Sequence, residues 1–343
     1  MSTGNPALIE LICDQIRLRG PVSFAWFMEQ ALYHPEHGYY ASDRARIGRS
    51  GDYFTNVSVG PLFGRLLAVQ FIEIWESMGK VEQFSFVEQG AHDGQFARDV
   101  LEFLRRQSPE FFSSLSYRII EPFAKLRDRQ RDALNEFGDR VQWCPSVDEL
   151  EPFVGIHFSN ELLDAMPVNL RGRLVGLNGE DFVFVEAPPG QTLNQSQLDW
   201  VESVATKLKR GFVVAIDYGF SGPDFHEALQ VRARHRLLDS PFHEIGQADI
   251  TAHLNWTDLA RTAEKNGLRV SGFTDQHHFL TGIIAMFPPI IAEDKSKRAL
   301  QTLLHPEMLG RSFQVLALSR DVDSGAPLSG FKFARGARET LGL

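Results

Sequence analysis

Glu88, Gly90, Gly94, Glu121, Asn160, Glu161 and Asp164 are the residues of this chain whose types and spacing suit chemistry. Glu88 closes a short apolar run, Phe84-Ser85-Phe86-Val87, and the two glycines follow it. Glycine allows φ > 0 and lets the backbone come close to a ligand. The N–H groups of a helix that starts after such a turn hold an anionic group. The dinucleotide fingerprint fails, because His92 stands between Gly90 and Gly94, and a P-loop fails because Gly94-Gln95-Phe96 lacks the Lys-Ser/Thr ending. What remains is an acid, a glycine two positions on and a second glycine four further. Glu121 ends a second apolar run, where an acid accepts hydrogen bonds from two ribose hydroxyls; a strand-end or helix-start acid is the alternative. Glu161 and Asp164 are three residues apart and on a helical turn would share a face. Equally, Asn160 would cap such a helix, with both acids at its positive end.

The elements that must position these residues follow from periodicity. Phe84–Val87, Tyr117–Glu121, Val141–Cys144, Gly155–Glu161, Gly211–Ile216, Leu268–Phe273 and Phe313–Leu318 read as strands. Between them lie helical patterns, from Gln95, over Lys125–Phe137, Ser196–Arg210 and Trp256–Asn266. Strands alternating with helices predict an α/β fold with a doubly wound, mostly parallel sheet. Ligands in such sheets bind at the carboxyl ends of the strands, where Glu88, Gly90, Glu121, Asn160, Glu161 and Asp217-Tyr218 all fall. Before this core, helices are expected over Ala7–Arg19, Ser23–Leu32 and Leu62–Met78, with a basic loop over Arg44–Ser50. Arg173–Ala187 alternates around Asn178-Gly179, a hairpin signal. The predicted organisation is a helical cap over 1–80, a core over 81–320 with insertions at 168–190, 220–250 and 280–310, and a loose tail over 321–343.

Composition bounds the function. The 343 residues include 27 Phe and are 43% hydrophobic, enough for a sizeable core. Lys and Arg number 35 against 44 Asp and Glu, a net charge of −9 that argues against nucleic-acid binding and suits a cationic substrate. No membrane span is expected. Two cysteines make no disulfide framework, and residues 1–20 carry Glu10 and Asp14 with no basic region before an apolar run, so a cytoplasmic protein is expected. The pairs His34/His37 and His277-His278 lack an acid or cysteine cluster to complete a site, and no metal is expected.

The acid-glycine turn resembles motif I of class I S-adenosyl-L-methionine (SAM) methyltransferases. Further segments make the resemblance specific: Gly20-Pro21, Pro35 with Gly38-Tyr39-Tyr40, Gly51-Asp52-Tyr53-Phe54-Thr55, Phe63-Gly64, Asn160 through Val168, Asp217-Tyr218-Gly219, Asp249 through His253 and Pro306 through Phe313. The chain is similar to the MidA-type methyltransferases, a family that includes the mitochondrial complex I assembly-factor methyltransferase. The resemblance implies a class I methyltransferase-like fold with an N-terminal helical cap, SAM as cofactor and methylation of a protein arginine. It also points to a respiratory-complex subunit as a substrate. It assigns the cofactor to Glu88, Gly90, Gly94, Glu121 and Asn160. Glu161 and Asp164 become a carboxylate clamp for a guanidinium, which two carboxylate oxygens bind bidentately. The family turn usually reads Gly-Pro-Gly-Arg-Gly, and here His92 takes the middle glycine's place. Two other readings stay open on the same fold: a catalytically silent assembly factor and a small-molecule methyltransferase.

Overall fold

The structure, a computed structural model, describes residues 2–42, 55–188, 196–222, 228–234, 236–291, 296–322 and 326–343. The basic run 44–50 and the segment 51–54 lie outside the described residues.

The chain divides into two compact units. One takes Met1–Ser58, Leu163–Trp200 and His226–His253, and the other takes Val59–Leu162, Val201–Phe225 and Leu254–Leu343. The first division therefore falls near residue 58, not 80. The helix Leu62–Ser77 explains the difference. Its Phe71 ring lies 4.7 Å from Phe86 and 5.6 Å from Phe158, so this helix covers the central sheet instead of joining the helices before it.

The second unit holds that sheet. Its strands are β1 (Phe84–Gln89), β2 (Leu115–Ile120), β3 (Val141–Cys144), β4 (Phe153–Asn160), β5 (Leu208–Phe220), β6 (Arg269–Asp275) and β7 (Phe313–Arg320). They lie in the order β3-β2-β1-β4-β5-β7-β6, and the short strand Leu254–Asn255 also pairs with β5. The pairs among β1 to β5 are parallel, while β7 runs antiparallel to both neighbours. Central strands read as near-continuous apolar runs because both faces are covered; in β4 Phe158 and Ile156 are buried, as is His157. Chain order reverses between β1 and β4, so the crevice at their carboxyl ends is where this topology binds ligands.

The first unit is built from three separated segments around one apolar cluster, in which Leu8, Ile12, Phe24, Phe27, Phe182 and Ile250 are buried. Asn5 caps the helix Pro6–Arg19, and Ser23 caps Phe24–Tyr33 by accepting from the Trp26 N–H. The expected hairpin forms from Arg173–Asn178 and Asp181–Glu186, with Val22–Ser23 alongside. Asn178 faces Asp181, so the turn is Gly179-Glu180, one residue beyond the expected pair, with Gly179 at φ +64. The insertion 220–250 contains more order than its polar sequence predicts. Leu229–Ala233 pairs with Arg236–Leu238 on one side and Asp249–Ala252 on the other. Val231 and Ala233 point inward while Arg232 stays exposed, a short alternation hidden among charged residues.

The tail is also packed rather than loose. Leu328, Phe331 and Leu341 are buried. The N–H and hydroxyl of Ser329 donate to the Glu73 carboxylate, and the Gly330 N–H donates to Gln70 Oε1 at 2.9 Å. Thr257 Oγ1 donates to the Leu341 carbonyl at 2.7 Å. Polar residues read as solvated in sequence because their partners lie some 256 positions away. Glu73→Ala removes the acceptor of three donors, the Ser329 N–H, the Ser329 hydroxyl and Gln70 Nε2, and should cost about 1–3 kcal/mol. Urea unfolding measures the loss, and limited proteolysis should now cut within 321–343; unchanged stability with a protected tail contradicts this latch.

Candidate functional site

The candidate site is built at the carboxyl ends of β1, β2 and β4, within the second unit. Glu88 is 3% exposed and its Oε2 accepts from the Tyr117 hydroxyl at 2.6 Å. Burial pushes its carboxyl up to about 8, although the Tyr117 hydrogen bond pulls the other way. Glu88 thus holds its proton more tightly than an exposed carboxyl and is fixed at the strand end by Tyr117. Three left-handed positions follow in alternation: Gly90 at φ +86, His92 at +48 and Gly94 at +82. This geometry coils the turn tightly before the helix Gln95–Gln107. Glycine accepts it freely, whereas for a histidine it costs roughly 1–2 kcal/mol. Such stored strain is typical of ligand turns. Asp93 is held below the usual carboxylate range, first by the neighbouring His92 imidazole, whose Nδ1 lies 3.8 Å from its Oδ1.

Glu88 gives a stability test with a definite sign. Its ordinary value of 4.5 applies to the unfolded chain and about 8 to the folded one, so the folded protein holds the proton more tightly. Its contribution is therefore fully present below about pH 4.5 and is lost as the pH rises through about 8. Glu88→Gln removes the ionisation, so its advantage over wild type should be small near pH 5 and grow toward pH 9, by on the order of 5 kcal/mol at the limit. Urea unfolding across that range checks it; a difference independent of pH contradicts it.

Glu121 stands just beyond β2, 4% exposed, and its pKa is raised, chiefly by burial. Its Oε1 accepts from the Phe123 N–H at 3.0 Å and its Oε2 from Gln130 Nε2 at 3.0 Å. A carboxylate oxygen carries two lone pairs, so each keeps acceptor capacity for a hydroxyl. Gln130 was not singled out by the sequence. It is fully buried on the helix Ala124–Leu134, on one stripe with Leu126 and Leu134. A glutamine at four-residue spacing within an apolar stripe is the signal that could have found it.

At the end of β4, Asn160 Nδ2 donates to Glu161 Oε1 at 3.0 Å, and Glu161 sits at φ +52. The Glu161 N–H donates to the Ile216 carbonyl at 3.0 Å. Asp217, at the neighbouring tip of β5, accepts from the Leu162 N–H at 3.1 Å and the Tyr218 N–H at 2.7 Å. Residues 161–166 form no helix, so neither the shared helical face of Glu161 and Asp164 nor a helix cap at Asn160 exists. The reason is the left-handed backbone at Glu161, which breaks a helical path at once. Asp164 belongs to the first unit, where it is 5% exposed and its carbonyl accepts from the Ala252 N–H at 2.7 Å. There Tyr40 donates to Asp249 Oδ1 at 2.8 Å, and Tyr33 to the Ala165 carbonyl at 3.0 Å. The structure thus brings Glu88, Gly90, Gly94, Glu121, Asn160 and Glu161 to one end of one sheet. No group of three or more metal-ligating side chains occurs among the described residues.

Comparison with known proteins bears on what this end of the sheet holds. A model of a family described by its S-adenosyl-L-methionine-dependent methyltransferase activity matches residues 66–186 and 183–274. A solved COG1565 superfamily member from Burkholderia thailandensis, bound to S-adenosyl-homocysteine, is 28% identical with a TM-score of 0.84, covering 98% of this chain and 99% of that one. The human mitochondrial protein arginine methyltransferase NDUFAF7 is 24% identical over 95% of this chain and 85% of its own length. Its Drosophila melanogaster homologue is 23% identical over 92% of this chain and 85% of its own. The two arginine methyltransferases are named as mitochondrial, which overturns the cytoplasmic location expected above. Cysteine count speaks to redox state and does not separate one reducing compartment from another.

The residues present fit the cofactor. At Gly90 a Cβ would stand 3.3 Å from the Leu162 side chain, so the turn keeps a close approach that a side chain would fill. A buried carboxylate with spare acceptor capacity stands at the next strand tip. His92 takes a left-handed backbone, φ +48, and its carbonyl accepts from Gln130 Nε2 at 2.8 Å. Fold, strand order and the extent of these matches agree: the chain belongs to the MidA-type family of SAM-dependent methyltransferases.

Proposed function

We propose that this methyltransferase acts on an arginine of a protein substrate. The human and Drosophila melanogaster relatives above carry that activity in their names and align over 92–95% of this chain. The structural observation that carries the reading is Glu161, a carboxylate held at φ +52 at the tip of β4 with the Asn160 amide on one oxygen. An arginine guanidinium is protonated at neutral pH with its charge delocalised. A fixed carboxylate binds it bidentately and orients one nitrogen.

Gly90 and Gly94 let the backbone cradle the methionine part of SAM, Glu121 holds the ribose, Asn160 lines the cofactor and Glu88 supports the turn. Bound SAM supplies a methyl group on a positively charged sulfur, already activated for displacement. The chain's task is then alignment, and orientation alone supplies several kcal/mol. Asp164 has no place in this assignment, because the helical face that paired it with Glu161 is absent.

The test is incubation with methyl-labelled SAM and arginine-bearing peptides or subunits of a respiratory complex, followed by mass spectrometry. Methylarginine that disappears when the arginine becomes lysine supports the reading. Label transferred only to small molecules, or only to other side chains, overturns it.

A further inference from the structure

Gln130 lies outside every role assigned so far, yet it touches three parts of the cofactor end of the sheet. Its Nε2 donates to the His92 carbonyl at 2.8 Å and to Glu121 Oε2 at 3.0 Å. Its Oε1 accepts from the Trp143 indole N–H at 2.9 Å. An indole N–H only donates, so it fixes which end of the amide faces which neighbour. With Oε1 committed to β3, the two N–H bonds must point at the turn and at the acid. The amide is fully buried, where each bond is strong and each loss is costly.

The packing around it is equally committed. At Gly94 a Cβ would lie 3.6 Å from Gln130 Cα and 3.4 Å from Leu134 Cδ1, so the turn rests directly on this helix. Arg127 Nη1, one turn earlier, donates to the Glu121 carbonyl at 2.8 Å. Turn, acid and third strand therefore share one helix, with Gln130 as the common point.

We propose that Gln130 is a positioning residue for SAM: it holds Glu121 and the strained His92 peptide in register, so that the ribose and methionine parts of the cofactor meet a preset site. The inference rests on the cofactor role of Glu121 and is independent of the arginine reading. It explains how His92 is tolerated in place of a glycine. The Gln130 bond to its carbonyl fixes the left-handed peptide that a glycine would adopt unaided.

The test is calorimetric titration of purified protein with S-adenosylhomocysteine, alongside thermal unfolding without ligand. Gln130→Leu keeps the approximate volume and removes both N–H donors; affinity should fall tenfold or more. Trp143→Phe leaves Gln130 in place but frees its amide to turn, and should give a smaller loss in the same direction. This milder variant carries the test if the leucine variant does not fold. Gln130→Glu puts an acceptor where a donor is required, and its affinity should recover as the pH is lowered and the introduced carboxyl takes up a proton. In the double variant with Glu121→Gln, the losses should be less than additive, because part of the Gln130 effect passes through the Glu121 carboxyl group and only the part through the His92 carbonyl remains. A lowered melting temperature with affinity unchanged within twofold would make Gln130 merely structural and overturn the proposal. Fully additive losses would overturn it too.

Discussion

Gly90→Val folds and no longer binds the cofactor: titration with S-adenosylhomocysteine gives no saturable heat up to about millimolar ligand, a loss of at least 100-fold or about 2.7 kcal/mol. Two separate effects produce this. At φ +86 a β-branched residue is strained by roughly 1–2 kcal/mol, and the first added carbon already stands 3.3 Å from Leu162. The γ methyls must then enter the space above the turn, where the cofactor approaches. The fold should survive, since Gly90 is exposed at the carboxyl end of β1 and not in the sheet's apolar interior. The melting temperature should drop by only a few degrees. Retained affinity would show that the turn does not face the cofactor.

Glu161→Gln separates chemistry from binding. The amide keeps the size of the side chain but loses the charge that attracts a guanidinium, and one of its two ends becomes a donor. The expected result is a kcat about 100-fold lower on an arginine peptide, the scale of a misplaced reacting group. Affinity for S-adenosylhomocysteine should stay within about threefold, because Glu161 is assigned to the substrate. Equal losses in both measurements would move Glu161 to the cofactor.

The sheet was legible because its strands are apolar runs bounded by glycines and acids. Val141–Cys144 matches its predicted limits, and Phe84 through Gln95 forms the expected strand, turn and helix start. The strand tips carry the acids for the same reason that made them readable: an apolar run ends where the chain meets solvent or ligand. What was illegible depends on partners far away in sequence or on a single dihedral. Nothing in Asn160-Glu161-Leu162 announces that Glu161 turns left-handed, so two acids at helical spacing suggested a face that never forms. Gln130 sits among charged neighbours; its spacing from Leu126 and Leu134 hints at burial, but its partners Trp143 and His92 appear only in the fold. The strand Leu229–Ala233 has two inward side chains, Val231 and Ala233, too few to stand out against arginines. The tail is fastened by Gln70 and Glu73, which belong to a helix expected in the N-terminal cap.

The three-part composition of the first unit sets a timetable for synthesis. Leu8, Ile12, Phe24 and Phe27 share their apolar cluster with Ile245, Ile250 and Ala252. A ribosome adding about 5–20 residues per second needs on the order of 10–50 s to connect them. For that interval the first two helices leave the exit tunnel with their apolar faces uncovered. The nascent chain is therefore a natural client for holding chaperones, and ribosomes stalled before residue 250 should carry chains that remain protease-sensitive from the N-terminus onward.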